Sequence, residues 1–153
     1  MLYPSAKVIV RSKDNKDMIL VIKRTVNNNI YYEPAGGKVE ANFETKRAES
    51  LEECARREIL EELGVAVDIQ NYIGSYYFFW HIDPHKLSIC VLFEGIVTDI
   101  DHQFSANQDS CELPIEPIWV PVESILSGSI KIDSTYVGLE VLMKNYCRNL
   151  NNL

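Results

Sequence analysis

Several familiar signatures are missing from this chain, and each absence narrows what it can be. The cysteines Cys54, Cys90, Cys111 and Cys147 are widely spaced and form no Cys-x-x-Cys pair, which removes the zinc knuckle and the dithiol redox motif and leaves reduced thiols as the expectation. His81, His85 and His102 share none of the spacings that zinc sites use. The N-terminus, MLYPSAKVIVRSKDNKD, has no basic start followed by an apolar run, and the longest near-apolar stretch, LSICVLFEGIV, covers only about half a bilayer. Secretion and membrane insertion are therefore not expected, and a cytoplasmic location is. Clusters of Lys and Arg are also lacking. With a net charge of −7, the chain is a poor candidate for a nucleic-acid polymer, whose nonspecific affinity depends on neutralising backbone phosphates. No repeat, linker or composition break divides the sequence, so residues 1–153 predict one domain, with a homodimer among the assemblies compatible with it.

What is present begins with short strands. Ala6 to Val10 and Met18 to Arg24 are apolar runs rich in β-branched residues, separated by the charged turn SKDNKD, and predict a hairpin. A loop at Asn27, Asn28 and Asn29 and the pair Tyr31, Tyr32 lead into Pro34, Ala35, Gly36 and Gly37, where the backbone can turn tightly. Residues 38 to 48 are polar and aperiodic. Val65 to His81 and Leu87 to Val97 predict two strands paired across the DPHK turn. Thr98 to Leu113 reads as a long polar loop, Ile118 to Val120 as a short strand and Val122 to Leu126 as a helical turn. A last amphipathic helix would start near Ser134 and bury Val137, Val141, Leu142 or Met143, Tyr146 and Leu150.

The central helix is the most sharply bounded element. Ser50 with Glu53 three residues on makes a capping box, and Gly64 supplies the stop. Projected at about 100° per residue, Leu51, Cys54 and Ala55 share a side that Glu58, Glu61 and Glu62 continue. Carboxylates at these spacings repel one another and oppose the helix dipole near its C-terminus. Two readings fit: a solvated acidic surface, or a cluster that a cation relieves. Convergent hard oxygens suit Mg²⁺ or Mn²⁺, and such an ion would also reverse the local field for an anionic substrate.

The surrounding residues bear on the choice. ESLEECARREILEELGV, from Glu49 onward, resembles the signature of the Nudix hydrolase superfamily: Gly, five residues, Glu, seven residues, then Arg-Glu-aliphatic-any-Glu-Glu-any-Gly-aliphatic. Glu49, Arg57, Glu58, Ile59, Glu61, Glu62, Gly64 and Val65 match in register. PAGGKVE is similar to the loop that opens the motif, and IWVPVESIL to a strand-then-helix segment near the family's C-terminus. One departure stands out. Gly37 lies twelve residues before Glu49 instead of six, so the loop carries six extra residues, within ANFETKRA.

The resemblance implies an α/β fold, the Nudix α/β/α sandwich with a central mixed sheet. It also implies metal-dependent hydrolysis of a nucleoside diphosphate linked to another moiety, by attack of water on phosphorus. Glu58, Glu61 and Glu62 would hold Mg²⁺, with Mn²⁺ an alternative, and Arg57 would tie the helix to the preceding loop through Glu49. The base that takes the proton from water would be a motif glutamate or one of Asp109, Glu112 and Glu116. Gly36 and Gly37 would bring backbone N–H groups close to the site, and Arg24 could meet a phosphate. Tyr31, Tyr32, Tyr77, Phe79, Trp80 and Phe104 offer faces on which a base could stack, though alternation lets only about half of residues 76 to 80 face a pocket. The partner expected is a small nucleotide, either an ADP-ribose-like nucleotide sugar or a noncanonical nucleoside triphosphate. A nucleotide-binding module that keeps the fold without the activity is the alternative.

Overall fold

The computed structural model describes residues 1–97 and 115–152. The elements run β1 (Leu2–Ser12), β2 (Met18–Val26), β3 (Asn29–Glu33), β4 (Ala35–Lys38), β5 (Ala41–Asn42), β6 (Arg47–Ala48), α1 (Leu51–Leu63), β7 (Asp68–Phe79), β8 (Leu87–Val97), β9 (Ile115–Pro121), α2 (Val122–Leu126) and α3 (Leu139–Asn151). The proposed loop from Thr98 to Leu113, with His102, Phe104, Asp109, Cys111 and Glu112, lies outside the described residues.

The mixed sheet has the order β3-β2-β1-β8-β7, with β4 added to β1 and β9 to β2. β1 is its spine. It pairs parallel with β8 along its whole length, from Leu2↔Leu87 to Ser12↔Val97. Its other edge is shared: Ser5 to Val8 face β4, while only Val10 and Arg11 pair with β2. β3 stays on β2. The chain must therefore cross from one branch to the other at Pro34, which has no N–H to lose from a ladder. Residues from Glu33 to Lys38 consequently sit where the two branches of the sheet part.

Alternation along the strands builds a core on each face. Ala6, Val8, Val10, Leu20 and Ile22 pack with Cys54, Ala55, Ile59 and Leu63 of α1. Ile9, Ile19, Val21, Cys90 and Leu92 pack on the opposite face with Val122 and Ile125 of α2 and with Leu139, Met143, Tyr146 and Cys147 of α3. The predicted hairpin, the β7–β8 pair, the Ile118 strand and the helical turn at Val122 are all present. The last helix begins later than expected. Asp133 closes a turn, with Thr135 N–H donating to its Oδ1 at 2.8 Å and Tyr136 N–H to its O at 3.1 Å, and Gly138 at φ 92° then caps the helix. Val137, expected on the helix and in the core, instead bridges Tyr77 as an extended residue and is exposed, as is Val141. The buried face of α3 is Leu139, Met143, Tyr146 and Cys147. Glu94 of β8 pins that helix, accepting from Tyr146 Oη at 2.6 Å, Asn71 Nδ2 at 3.0 Å and Arg11 Nε at 3.2 Å.

Residues 38 to 48 are not a plain loop. β5 and β6 form a two-stranded ribbon, Ala41↔Ala48 and Asn42↔Arg47, so the extra residues fold back on themselves as a small hairpin.

Candidate active site

α1 is set by its ends. Ser50 Oγ accepts from Glu53 N–H at 3.1 Å and Glu53 Oε2 accepts from Ser50 N–H at 2.7 Å, while Gly64 at φ 70° donates to Leu60 O at 2.9 Å. These caps fix which residues face inward. Ile59 and Leu63 go into the core and Glu62 is drawn in with them, 6% exposed. Glu58 is partly buried, whereas Glu61 lies toward solvent.

The glycine turn of β4 presses on this helix face. Gly36 N–H donates to Glu62 Oε2 at 3.2 Å. At φ 140° the Gly36 backbone is one that side chains rarely adopt, and a Cβ there would lie 2.1 Å from Ala6 O. A Cβ on Gly37 would lie 2.4 Å from the Glu58 carboxyl carbon. Gly36 is thus required by its close approach to the β1 backbone, and Gly37 by its approach to the acidic face.

Arg57 organises the flank. It donates from Nε to Glu49 Oε2 at 3.1 Å and from Nη2 to Glu49 Oε1 at 2.6 Å, a bidentate pair. The same guanidinium reaches Lys38 O at 3.0 Å, Glu58 Oε1 at 2.9 Å and Glu61 Oε2 at 3.2 Å. Arg57 hydrogen bonding holds the Glu49 carboxyl down at about 2. For Glu58 burial prevails over Arg57 and raises the carboxyl, and burial pushes Glu62 up to about 7 against the pull of Lys7 and Arg24.

Above the helix face opens a cavity of about 230 Å³. Its lining takes in Glu58, Glu62, Gly36, Gly37 and Lys38, together with Phe78, Trp80, His81 and Ile82 and with Ser5, Lys7, Arg24, Glu33 and Ser88. Ser5 and Lys7 share a strand face with Ile9, Ser88 with Cys90, and Phe78 and Trp80 with Tyr76. The strand faces that build the α3-side core therefore run on into the cavity and turn polar there. Lys7 and Glu33 are both buried, at 4% and 2% exposure. Lys7 Nζ donates to Gly36 O at 3.1 Å and stands 3.6 Å from Glu33 Oε2, while Arg24 Nε donates to Glu33 Oε1. Burial would lower the Lys7 ammonium, but Glu33 holds it above its ordinary value. Burial would likewise raise Glu33, but Lys7 and Arg24 hold it below.

Of the residues singled out in the sequence, Glu58, Glu62, Gly36, Gly37 and Arg24 come together at the cavity, and Arg57, Glu49 and Glu61 form the brace beside it. Tyr32 and Tyr77 do not line it. Tyr32 packs at the edge of the α3-side core, and Tyr77, 44% exposed, bridges Val137. Alternation in β7 turns Phe78 inward, with Trp80 just beyond the strand end, and sends Tyr77 and Phe79 outward. Glu116 stands on β9 opposite Lys23, 3.7 Å from its Nζ, exposed and away from the cavity lining. Sequence reading missed Lys7, Glu33 and Ser88. For Lys7 a signal was present, an ionisable residue inside an apolar strand, but its partner is set by pairing distant in the chain.

The donors fit a hard divalent cation in chemistry. Glu58 and Glu62 are carboxylates whose charge burial opposes, and cationic charge beside them relieves that opposition. Among the described residues no three acidic, His or Cys side chains converge on one point. Arg57 draws Glu58 and Glu61 aside, and the Gly36 N–H holds Glu62.

A mixed sheet between helices, with an acidic helix face under a glycine turn, defines an α/β sandwich domain. The chain belongs to the Nudix family, whose domain model matches residues 1–137. The fold is similar to that of the MutT protein from Methanosarcina mazei Go1, at 23% identity and TM-score 0.66 over 97% of this chain and 94% of that one. A NUDIX family hydrolase from Clostridium perfringens matches at 18% identity and TM-score 0.66 over 97% of each chain. A C. elegans Ap4A hydrolase in a binary complex matches at 17% identity and TM-score 0.66 over 99% of each. No curated relative matches.

Proposed function

We propose that residues 1–153 form a single Nudix domain that is a Mg²⁺-dependent pyrophosphohydrolase, with Mn²⁺ an acceptable substitute. Its substrate is a nucleoside diphosphate linked to another moiety, either an ADP-ribose-like nucleotide sugar or a noncanonical nucleoside triphosphate. The observation that carries this reading is the placing of the buried Glu62 and the partly buried Glu58 against Gly36 and Gly37 in the cavity lining. Glu58, Glu61 and Glu62 would hold the cation. When bound, it neutralises the diphosphate and acidifies the attacking water.

The chain's own groups do the rest. Arg57 and Glu49 fix the helix against the loop, so that the carboxylates keep their positions through the reaction. Arg24 and Lys7 set positive charge in the cavity wall, and Phe78 and Trp80 provide flat apolar surface for the base. Water attack on phosphorus breaks the anhydride bond and leaves a nucleoside monophosphate. The position of Glu116, exposed against Lys23, favours a motif glutamate, Asp109 or Glu112 as the proton acceptor. The protein works as a cytoplasmic enzyme on a small molecule.

The test is a panel of nucleoside triphosphates, nucleotide sugars and dinucleoside polyphosphates, run with Mg²⁺ and with a chelator. Metal-dependent release of a nucleoside monophosphate is expected. Folded protein that turns over no member of the panel is a nucleotide-binding module instead.

A further inference from the structure

The central sheet presents a second surface, away from the cavity. On the α1 side the helix packs over Ala6, Val8 and Val10 of β1, and the strands run on past it. Strand register lines up what stands there. Pro4 is beside Ile89, Ile89 beside Tyr77, and Tyr77 beside Val137, with which it exchanges both backbone hydrogen bonds, at 3.3 and 2.8 Å. The next row is Leu2, Leu87 and Phe79. Cross-strand neighbours share a face, and alternation turns Tyr3, Phe78 and Ser88 to the other one. Leu2, Phe79, Ile89, Tyr77 and Val137 are 42% to 58% exposed, and Pro4 is exposed as well. Neither row contains a charged side chain.

We propose that a second copy of this chain packs on this face, sheet against sheet about a two-fold axis. Exposed to that degree, the six side chains offer on the order of 500 Å² of apolar surface. Each partner of a standard interface buries about 800 Å², roughly 65% of it apolar in homodimers, so the area meets what a dimer needs. Charge points to the same occupant. Two copies that each carry −7 repel one another, and a two-fold contact brings the same patch of both together, so it is tolerated where no charge meets its like. A strongly charged partner would find nothing in these rows to pair with. Edge pairing is the other way for a sheet to self-associate. The β7 edge is broken by register shifts between Ile69 and Asn71 and between Tyr72 and Gly74, and Val137 already occupies the place opposite Tyr77. Ser5, Lys7, Phe78 and Ser88, the strand-borne walls of the cavity, lie on the opposite face, so the contact leaves them uncovered.

The test is sedimentation equilibrium of the unaltered protein across the micromolar range, which needs no turnover. Twice the mass of the chain is expected at the upper end. Phe79→Thr/Ile89→Thr, which keeps β-branched residues in both strands, should weaken association at least about hundredfold. Val141→Thr, at an exposed apolar position on α3, should leave it unchanged. A monomer at every concentration overturns the proposal, and so does a dimer that the double variant leaves intact. If the double variant does not fold, hydroxyl-radical labelling of the unaltered protein decides, since Tyr77 and Phe79 should lose reactivity several-fold as the dimer forms. Labelling that stays constant while the mass doubles puts the contact elsewhere, and rows protected in the monomer are covered by their own chain; either result overturns the proposal. A dimer that hydrolyses nothing leaves it standing and counts only against the enzyme reading.

Discussion

Arg57 and Glu49 meet in a bidentate pair, Nε to Oε2 at 3.1 Å and Nη2 to Oε1 at 2.6 Å, directly beneath an insertion that separates Glu49 from Gly37. The pairing survives because the inserted segment is pinched at its base. Glu40 N–H donates to Glu49 Oε1 at 2.8 Å and Glu49 N–H to Glu40 O at 3.2 Å. The residues between them leave as the β5–β6 ribbon.

Shortening that ribbon should therefore be tolerated. Replacing residues 42 to 47 by a tight turn is expected to shift Tm by no more than about 4 °C and to leave metal-dependent turnover in place. Thermal melts and steady-state rates check this. A collapse of activity at unchanged Tm would give the hairpin a part in the site.

Acid should dissolve the brace. The folded carboxyl of Glu49 titrates at about 2 against an ordinary 4.5. It therefore contributes stability above pH 4.5, and that contribution is lost as pH falls toward 2. Glu49→Gln should be less stable than the parent at pH 7, with the difference closing at the acid end of that window in denaturant melts. Arg57→Lys, which cannot form the fork, should resemble it.

Glu62 has the opposite sign. Burial raises its folded value to about 7 from an ordinary 4.5, so between those values the folded chain holds a proton that the unfolded chain has released. Without metal, the parent protein loses stability as pH climbs through that window, by at most about 3 kcal/mol. Glu62→Gln, which can still accept from Gly36 N–H, should match the parent near pH 4.5 and exceed it at pH 8. Mg²⁺ should stabilise the parent and leave the variant nearly unchanged.

The two glycines should fail in different ways. Gly36→Ala sets a Cβ into the Ala6 carbonyl on a backbone at φ 140°, and a cost of about 2 kcal/mol or more is expected because backbone cannot step aside. Gly37→Ala meets only the end of the Glu58 side chain. It should fold with a small loss of Tm and a large loss of activity, which melts and rates on the same preparations separate.

Much of this was legible in the chain. The limits of α1 followed from Ser50, Glu53 and Gly64 because capping is local chemistry, and Arg57 with Glu49 followed from the motif that frames them. The start of α3 did not, since Ser134 looks like a helix cap while Asp133 makes a turn there and β7 captures Val137. Nor did the Lys7–Glu33–Arg24 group, which exists only because β4 pairs with β1 and β3 with β2. Alternation halved the aromatic candidates, but the half that faces the cavity, Phe78 and Trp80, depends on the β7–β8 register.

The central claim is that the carboxylate face of α1 carries a metal-dependent cleavage of a phosphoanhydride. The most direct measurement is nucleoside monophosphate release in Mg²⁺ by the parent and by Glu61→Gln/Glu62→Gln, with Tm recorded on the same samples. The account predicts a loss of several orders of magnitude at an equal or higher Tm. Undiminished release by the folded double variant would contradict it.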